Sequence, residues 1–116
     1  MPGQIDQMRK GTTTVAILKL LADSAEPLHG YEMIQRLEAR SEGYFSFKEG
    51  LIYPTLHRLE KEDLLGSKWL GKPGTRRRKV YWVTDKGRRR LEAELRQWER
   101  FRNGMSLLLG QDEAVP

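Results

Sequence analysis

The sequence predicts a mainly α-helical fold carrying one β-hairpin. Three observations lead there. Apolar residues recur at helical spacing in four stretches, two short alternating runs flank a Gly/Pro loop at 71–75, and a strongly basic segment surrounds that loop. With 116 residues and 38% apolar content, the chain is most simply one folded unit with a thin core, a size that often gains buried surface by dimerising. It holds no cysteine, which removes disulfides, thiolate metal sites and cysteine nucleophiles. No apolar run approaches the roughly 20 residues of a membrane span, and no signal-peptide pattern opens the chain, so a cytoplasmic protein is expected.

Residues 1–10 read as a polar leader. A first helix is expected over 12–24, capped by Thr12 or Thr13, with Val15, Leu18, Leu21 and Ala22 on one stripe and Ile17 and Leu20 off it. A helix apolar on more than one side is either central or shared with a partner chain. Pro27 centres a break over 25–28. A second helix follows from His29 to about Arg40, expected to bury Tyr31, Met33, Ile34 and Leu37. In the turn after it Gly43 is the φ > 0 candidate, and Phe45 and Phe47 wedge the turn against the core.

The third helix spans 46–63 and organises the rest. Ser46 and Glu49 have capping-box spacing. Ile52, Thr55, Leu56 and Leu59 fall on one face. Gly50, Pro54, His57 and Lys61 fall on the other, with Leu51, Tyr53 and Arg58 on its flanks. Pro54 lacks an N–H and clashes with the carbonyl of Gly50, so a late start or a slight kink is expected. Asp63 takes the left-handed position that ends the helix. Strands are expected at 64–70 and 78–84, and then a fourth helix capped by Thr84 and running to about Asn103. Its apolar stripe is Leu91, Leu95, Trp98 and Met105, with Phe101 near the edge. The tail from Gly110 is polar.

Charge singles out one region. The formal net charge is +5, yet residues 66–90 hold ten Lys and Arg against Asp85 alone, a segment charge of +9. A localised positive field implies a polyanionic partner, and nucleic acid is the commonest. A membrane surface would want a basic amphipathic helix, whereas most of these charges precede the last helix. Three helices followed by a basic hairpin make a winged helix-turn-helix, in which a helix reads base edges and the wing clamps phosphates. The DNA-facing candidates are Lys48, Gly50, Tyr53, Pro54, His57, Arg58 and Lys61 on the helix, and Lys72, Thr75, Arg76, Arg77 and Arg78 on the wing. Arg58 has a competing role as the i+4 partner of Glu62, and Tyr53 as a half-buried side chain. Arg76 to Arg78 are adjacent cations without local acids, which repel one another unless a polyanion is present.

Enzymatic chemistry has little to stand on. His29 and His57 are the two histidines and have no metal-ligand spacing, no phosphate-binding Gly-rich loop precedes a Lys-Ser or Lys-Thr pair, and Glu60 and Glu62 point to different sides of their helix. No cofactor or metal is expected. A non-specific architectural nucleic-acid-binding protein is the alternative function, and a module docking an acidic protein is a third.

The residues also resemble a known family. Leu28-His29-Gly30-Tyr31-Glu32, the run Leu51-Ile52-Tyr53-Pro54-Thr55-Leu56-His57-Arg58-Leu59-Glu60-Lys61-Glu62, and Arg78-Lys79-Val80-Tyr81-Trp82-Val83-Thr84-Asp85-Lys86-Gly87 resemble the PadR family of transcriptional regulators, in particular its short-tailed members. Leu51, Thr55 and Asp63 depart from the family's usual Thr, Leu and Gly. The resemblance implies a winged helix-turn-helix DNA-binding domain over 1–84 and a C-terminal dimerisation helix over 85–110. It further implies a homodimeric repressor on a palindromic operator, released by a small-molecule effector. Trp98, with Leu95 and Phe101 nearby, has two readings: plain dimer packing, or a flat aromatic slot across the two-fold axis for a planar aromatic compound.

Overall fold

A computed structural model describes residues 2–111, with side chains from Gly11 onward. The order is α1 (Pro2–Asp23), β1 (Leu28–His29), α2 (Gly30–Arg40), α3 (Glu49–Lys61), β2 (Leu65–Leu70), β3 (Arg78–Val83) and α4 (Asp85–Leu108). The strands form one antiparallel sheet in the order β1-β3-β2. The mainly α fold with a hairpin, closed by a long last helix, is therefore present, with one added strand where the sequence predicts a break. Leu28 and His29 pair with Tyr81 and Val80. A two-residue strand has no periodicity of its own, and only its partner reveals it.

The core forms where four elements turn apolar faces inward. Ile17, Leu18, Met33, Ile52, Leu56 and Leu59 have no measurable exposure, and Leu64, Leu65, Tyr81 and Leu91 close the cluster around them. Ile17 and Leu20 are buried along with Leu18 and Leu21, so α1 is central in this chain, the first of the two alternatives its all-round apolarity leaves. Tyr31 departs from expectation and is 53% exposed. Gly30 is buried in its stead, because the ring of Tyr53 occupies the space above it.

Two helix starts also differ. α1 begins at Pro2, so residues 2–10 continue the helix, and neither Thr12 nor Thr13 is a cap. Thr13 and Thr14 are buried inside it instead. α3 begins at Glu49, with Lys48 as an N-cap that makes no side-chain bond. The Ser46–Glu49 capping box is absent because buried Phe47 draws the chain before Lys48 inward and leaves Ser46 outside the cap position. This start still leaves Pro54 inside α3, one turn beyond the Gly50 carbonyl that it cannot bond. A capping box does exist, at α2. The His29 ring accepts from the backbone N–H of Glu32 at 3.2 Å, and the Glu32 carboxylate accepts from the N–H of His29 at 3.1 Å.

Helix ends follow the expected chemistry more closely. Asp63 has φ +63°. The N–H of Leu64 reaches the carbonyl of Leu59 at 2.9 Å and that of Asp63 reaches Glu60 at 3.0 Å, while buried Leu59 and Leu64 supply the apolar contact of a Schellman motif. After α2 both Glu42 and Gly43 take positive φ. α4 runs five residues beyond the expected end and stops at Gly110, φ +71°. The polar tail beyond Gln111 lies outside the described residues.

Thr84 ties the hairpin root to α4. Its hydroxyl oxygen accepts from the N–H of Gly87 at 3.0 Å and lies 2.8 Å from the Asp63 carbonyl, to which it donates. Gly87 packs so closely here that a Cβ would fall 2.2 Å from the carbonyl oxygen of Leu64. Gly87→Ala is therefore expected to lower unfolding free energy by about 2 kcal/mol or more. Gly50→Ala, where a Cβ meets nothing within 4 Å, is expected to leave stability unchanged or raise it by up to about 1 kcal/mol. Urea melts of the two variants check both signs.

Candidate nucleic-acid interface

The buried stripe of α3 fixes which side chains look outward. Ile52, Thr55, Leu56 and Leu59 are its buried residues, the four that helical spacing selects. Lys48, Gly50, Pro54, His57 and Lys61 are accordingly exposed. Pro54 removes the N–H that the Gly50 carbonyl would receive, and this happens on the outward side, where both residues are exposed to solvent. On the buried side the Thr55 hydroxyl donates to the Leu51 carbonyl at 2.7 Å, so this polar residue adds no unsatisfied group to the core.

The two flanking residues go different ways. Tyr53 is half-buried over Gly30, where a Cβ would lie 2.5 Å from Cε1 of its ring. Arg58 turns away from the outward face. Its guanidinium donates to the Thr14 hydroxyl on α1 at 2.8 Å and to Glu62 at 3.1 Å. Its position on the α1 flank accounts for this, and it joins α3 to α1 instead of standing with Lys61 and His57.

In the hairpin, Leu65 pairs with Val83 and the ladder runs to Leu70 opposite Arg78. Cross-strand partners share a sheet face. Ser67, Trp69, Lys79 and Tyr81 thus lie on one face, and Lys68, Leu70, Arg78 and Trp82 on the other. Trp69 is 56% exposed, with the Arg77 guanidinium 5.7 Å and the Lys79 ammonium 5.9 Å from its ring centroid. Arg78 sits on the opposite face, 3.1 Å from Nε2 of His29, and so is shared with the α2 cap. Thr75 serves the loop itself, its hydroxyl donating to the Lys72 carbonyl at 2.6 Å. Lys72, Arg76 and Arg77 make no ion pair among the described residues. The starts of α2 and α3 and the wing border one open groove, lined by Tyr31, Glu32 and Gln35 of α2, by Glu49 and Tyr53 of α3, and by Trp69, Arg76, Arg77 and Lys79 of the hairpin.

A polar contact that local sequence patterns do not disclose joins these two elements. Glu60 of α3 accepts from the Ser67 hydroxyl at 2.5 Å and pairs with Lys79 at 3.0 Å. The Ser67 hydrogen bond, followed by Lys79, holds the Glu60 carboxyl below the usual 4.5, while Glu60 in turn raises Lys79. The available signal was that Glu60 lies on the α3 flank opposite Arg58, and that Ser67 and Lys79 share a strand face. Neither fact brings them together without the hairpin's docking angle.

On α4, Leu91 is buried and Leu95 half-buried. Farther along, Trp98 and Phe101 stack on each other at 5.8 Å, 55% and 58% exposed, and Leu107 to Leu109 are more exposed still. Among the described residues no group of three or more His, Asp or Glu side chains is placed to hold a metal, and no helix is long and apolar enough to cross a membrane.

Comparison with known proteins extends this picture. The model of the PadR-like family of transcriptional regulators matches residues 17–93. A PadR-like transcriptional regulator from Bacillus cereus is 33% identical and superposes with a TM-score of 0.71 over 89% of this chain and 96% of its own. A PadR family transcriptional regulator from Eggerthella lenta is 30% identical, with a TM-score of 0.75 over 98% of this chain and 93% of its own. A transcriptional regulator from Clostridium thermocellum is 26% identical, with a TM-score of 0.77 over 87% and 92%.

The Glu60 carboxyl predicts a pH dependence. A carboxyl lowered by folding adds stability above its unfolded value, and that stability is lost as pH falls through the folded value. Wild-type unfolding midpoints in urea are therefore expected to drop as pH falls below about 4.5. Glu60→Gln is expected to have a lower midpoint at pH 7 and a shallower acid decline.

Proposed function

This chain belongs to the PadR-like family of transcriptional regulators, DNA-binding proteins and not enzymes, and on that basis we propose that it is a homodimeric repressor whose hold on a palindromic operator is released by a small molecule. The supporting observation is the groove in which Glu49 and Tyr53 of α3 line up with Trp69, Arg76 and Arg77 of the hairpin. We read this as recognition helix and wing tip meeting one duplex side by side. Lys48, Gly50, Tyr53, Pro54, His57 and Lys61 face the major groove, where Gly50 and Pro54 permit close approach and the polar side chains meet base edges or phosphates. Lys72, Arg76 and Arg77 neutralise phosphates beside it.

The division of labour is a DNA-binding unit over 1–84 and a dimerisation helix over 85–110. Trp98, Phe101, Met105 and Leu107 to Leu109 form an apolar surface on α4 that this chain leaves exposed, and a second copy covers it. The pairing places two recognition helices about one turn of the duplex apart. Stacked Trp98 and Phe101, beside Leu95, offer a flat apolar face to a planar aromatic effector at that interface. Such a compound changes the crossing of the two α4 helices and hence the spacing of the α3 helices.

Two measurements test this. Arg76→Gln and Arg77→Gln are expected to weaken binding to every duplex and to flatten the slope of log affinity against log salt by roughly 0.9 for each phosphate no longer neutralised. An unchanged slope rejects the wing assignment. A planar aromatic cation is expected to quench Trp98 fluorescence and release DNA. Quenching that persists in Trp98→Phe and vanishes only in a Trp69 or Trp82 variant moves the effector site off α4.

A further inference from the structure

Glu60 is out of place on a phosphate-binding surface. It is a carboxylate on the flank of the recognition helix, one turn from His57, and it faces the inner side of a wing built from cations. Long-range electrostatics alone makes it unfavourable for DNA binding. Its contacts suggest another use. One carboxylate oxygen accepts from Ser67 of β2 and the other pairs with Lys79 of β3, so a single side chain of α3 grips both strands of the hairpin. Lys79 stands opposite Trp69, next to the final rung at Leu70 and Arg78. Beyond that rung only the loop bearing Lys72, Arg76 and Arg77 remains.

We propose that Glu60 is a positioning residue for operator recognition, setting the angle of the wing to α3 through Ser67 and Lys79. This rests on the DNA-binding reading above. The wing behaves as a lever. Three residues of strand or extended loop span roughly 10 Å, so a tilt of about 10° at the grip moves the tip by nearly 2 Å. Charge-assisted hydrogen bonds to phosphate tolerate far less. Binding to an arbitrary duplex adapts to such a shift, because phosphates recur along the whole backbone and no register is demanded. Binding to one operator does not adapt, since the helix and the wing must be satisfied in a single register. Lys79 has two further partners that fit this role, the rings of Trp69 and Tyr81 at 5.9 Å and 5.5 Å, which hold its ammonium against the wing.

The test is the ratio of affinities for two probes. One is a duplex enriched by the wild-type protein from a random-sequence pool; the other is a mixed-sequence duplex of equal length. Removing an acid from a DNA-facing surface should, by charge alone, tighten both equally. A positioning role predicts instead that Glu60→Gln lowers the enriched-to-mixed ratio roughly five-fold to ten-fold, with mixed-sequence affinity unchanged or higher. Ser67→Ala, which removes one half of the grip and leaves every charge in place, should lower the ratio in the same direction by a smaller factor. Partial unfolding removes binding to both probes alike and leaves the ratio intact, so lowered stability does not imitate the effect. A ratio unchanged in Glu60→Gln, or lowered there but not in Ser67→Ala, overturns the proposal. Failure of the wild type to enrich any duplex is a different result: it overturns the operator-binding reading itself, and the role of Glu60 with it.

Discussion

The complete burial of Ile52, Leu56 and Leu59 is the constraint from which the functional surface follows. Three large side chains on one face of a 13-residue helix fix its roll about its own axis. Turning α3 by one residue's worth of rotation exposes apolar surface worth several kcal/mol and buries a polar side chain without a partner. The outward face is thus a by-product of the core. Gly50, Pro54, His57 and Lys61 need no interactions of their own to be presented. The same fixed roll sends Arg58 toward α1 on one flank and Glu60 toward the hairpin on the other.

Polar contacts within the chain then sort several cations of its basic segment into two populations. Lys86 donates to the Glu62 carbonyl at 2.9 Å at the end of α3, Arg90 pairs with Glu94, Lys79 with Glu60, and Arg78 lies against the His29 ring. Those cations close a helix end, brace α4 along its own surface, or join elements. Lys72, Arg76 and Arg77, at the loop between β2 and β3, are left without internal carboxylates among the described residues. Their mutual repulsion is tolerable in a solvent-exposed loop and is relieved by a polyanion. A count of charge by segment therefore finds the right region but overstates how many of its cations are open.

Features governed by one element at a time were legible in the sequence. The buried stripe of α3, the Thr84 cap, the left-handed Asp63 and the two long strands all follow from local periodicity or local backbone chemistry, and all are present. Features that need two elements were not. β1 exists only because Leu28 and His29 lie along β3, and the buried stripe of α2 runs through Gly30, Met33 and Leu37, leaving Tyr31 outside, because the Tyr53 ring of another helix packs on Gly30. The capping box showed the same limit. Ser-x-x-Glu spacing at Ser46 was the more obvious pattern, but Phe47 is anchored in the core and the helix begins beyond it. At α2 a histidine, an uncommon cap, takes the role. For the candidate interface the outward α3 residues and the tip arginines were readable, whereas the Glu60 contacts, the diversion of Arg58 and the sharing of Arg78 depend on tertiary geometry.

The junction around Gly87 has a mechanical consequence. The backbone of the first turn of α4 rests directly on the Leu64 carbonyl, and the Thr84 hydroxyl is bonded on both sides of the same corner. There is no slack between the foot of the hairpin and the beginning of the long helix, so the two swing as one piece. A displacement of the first turn of α4 therefore carries the foot of the hairpin with it, and a swivel that decouples them has to lie farther along the helix, past buried Leu91.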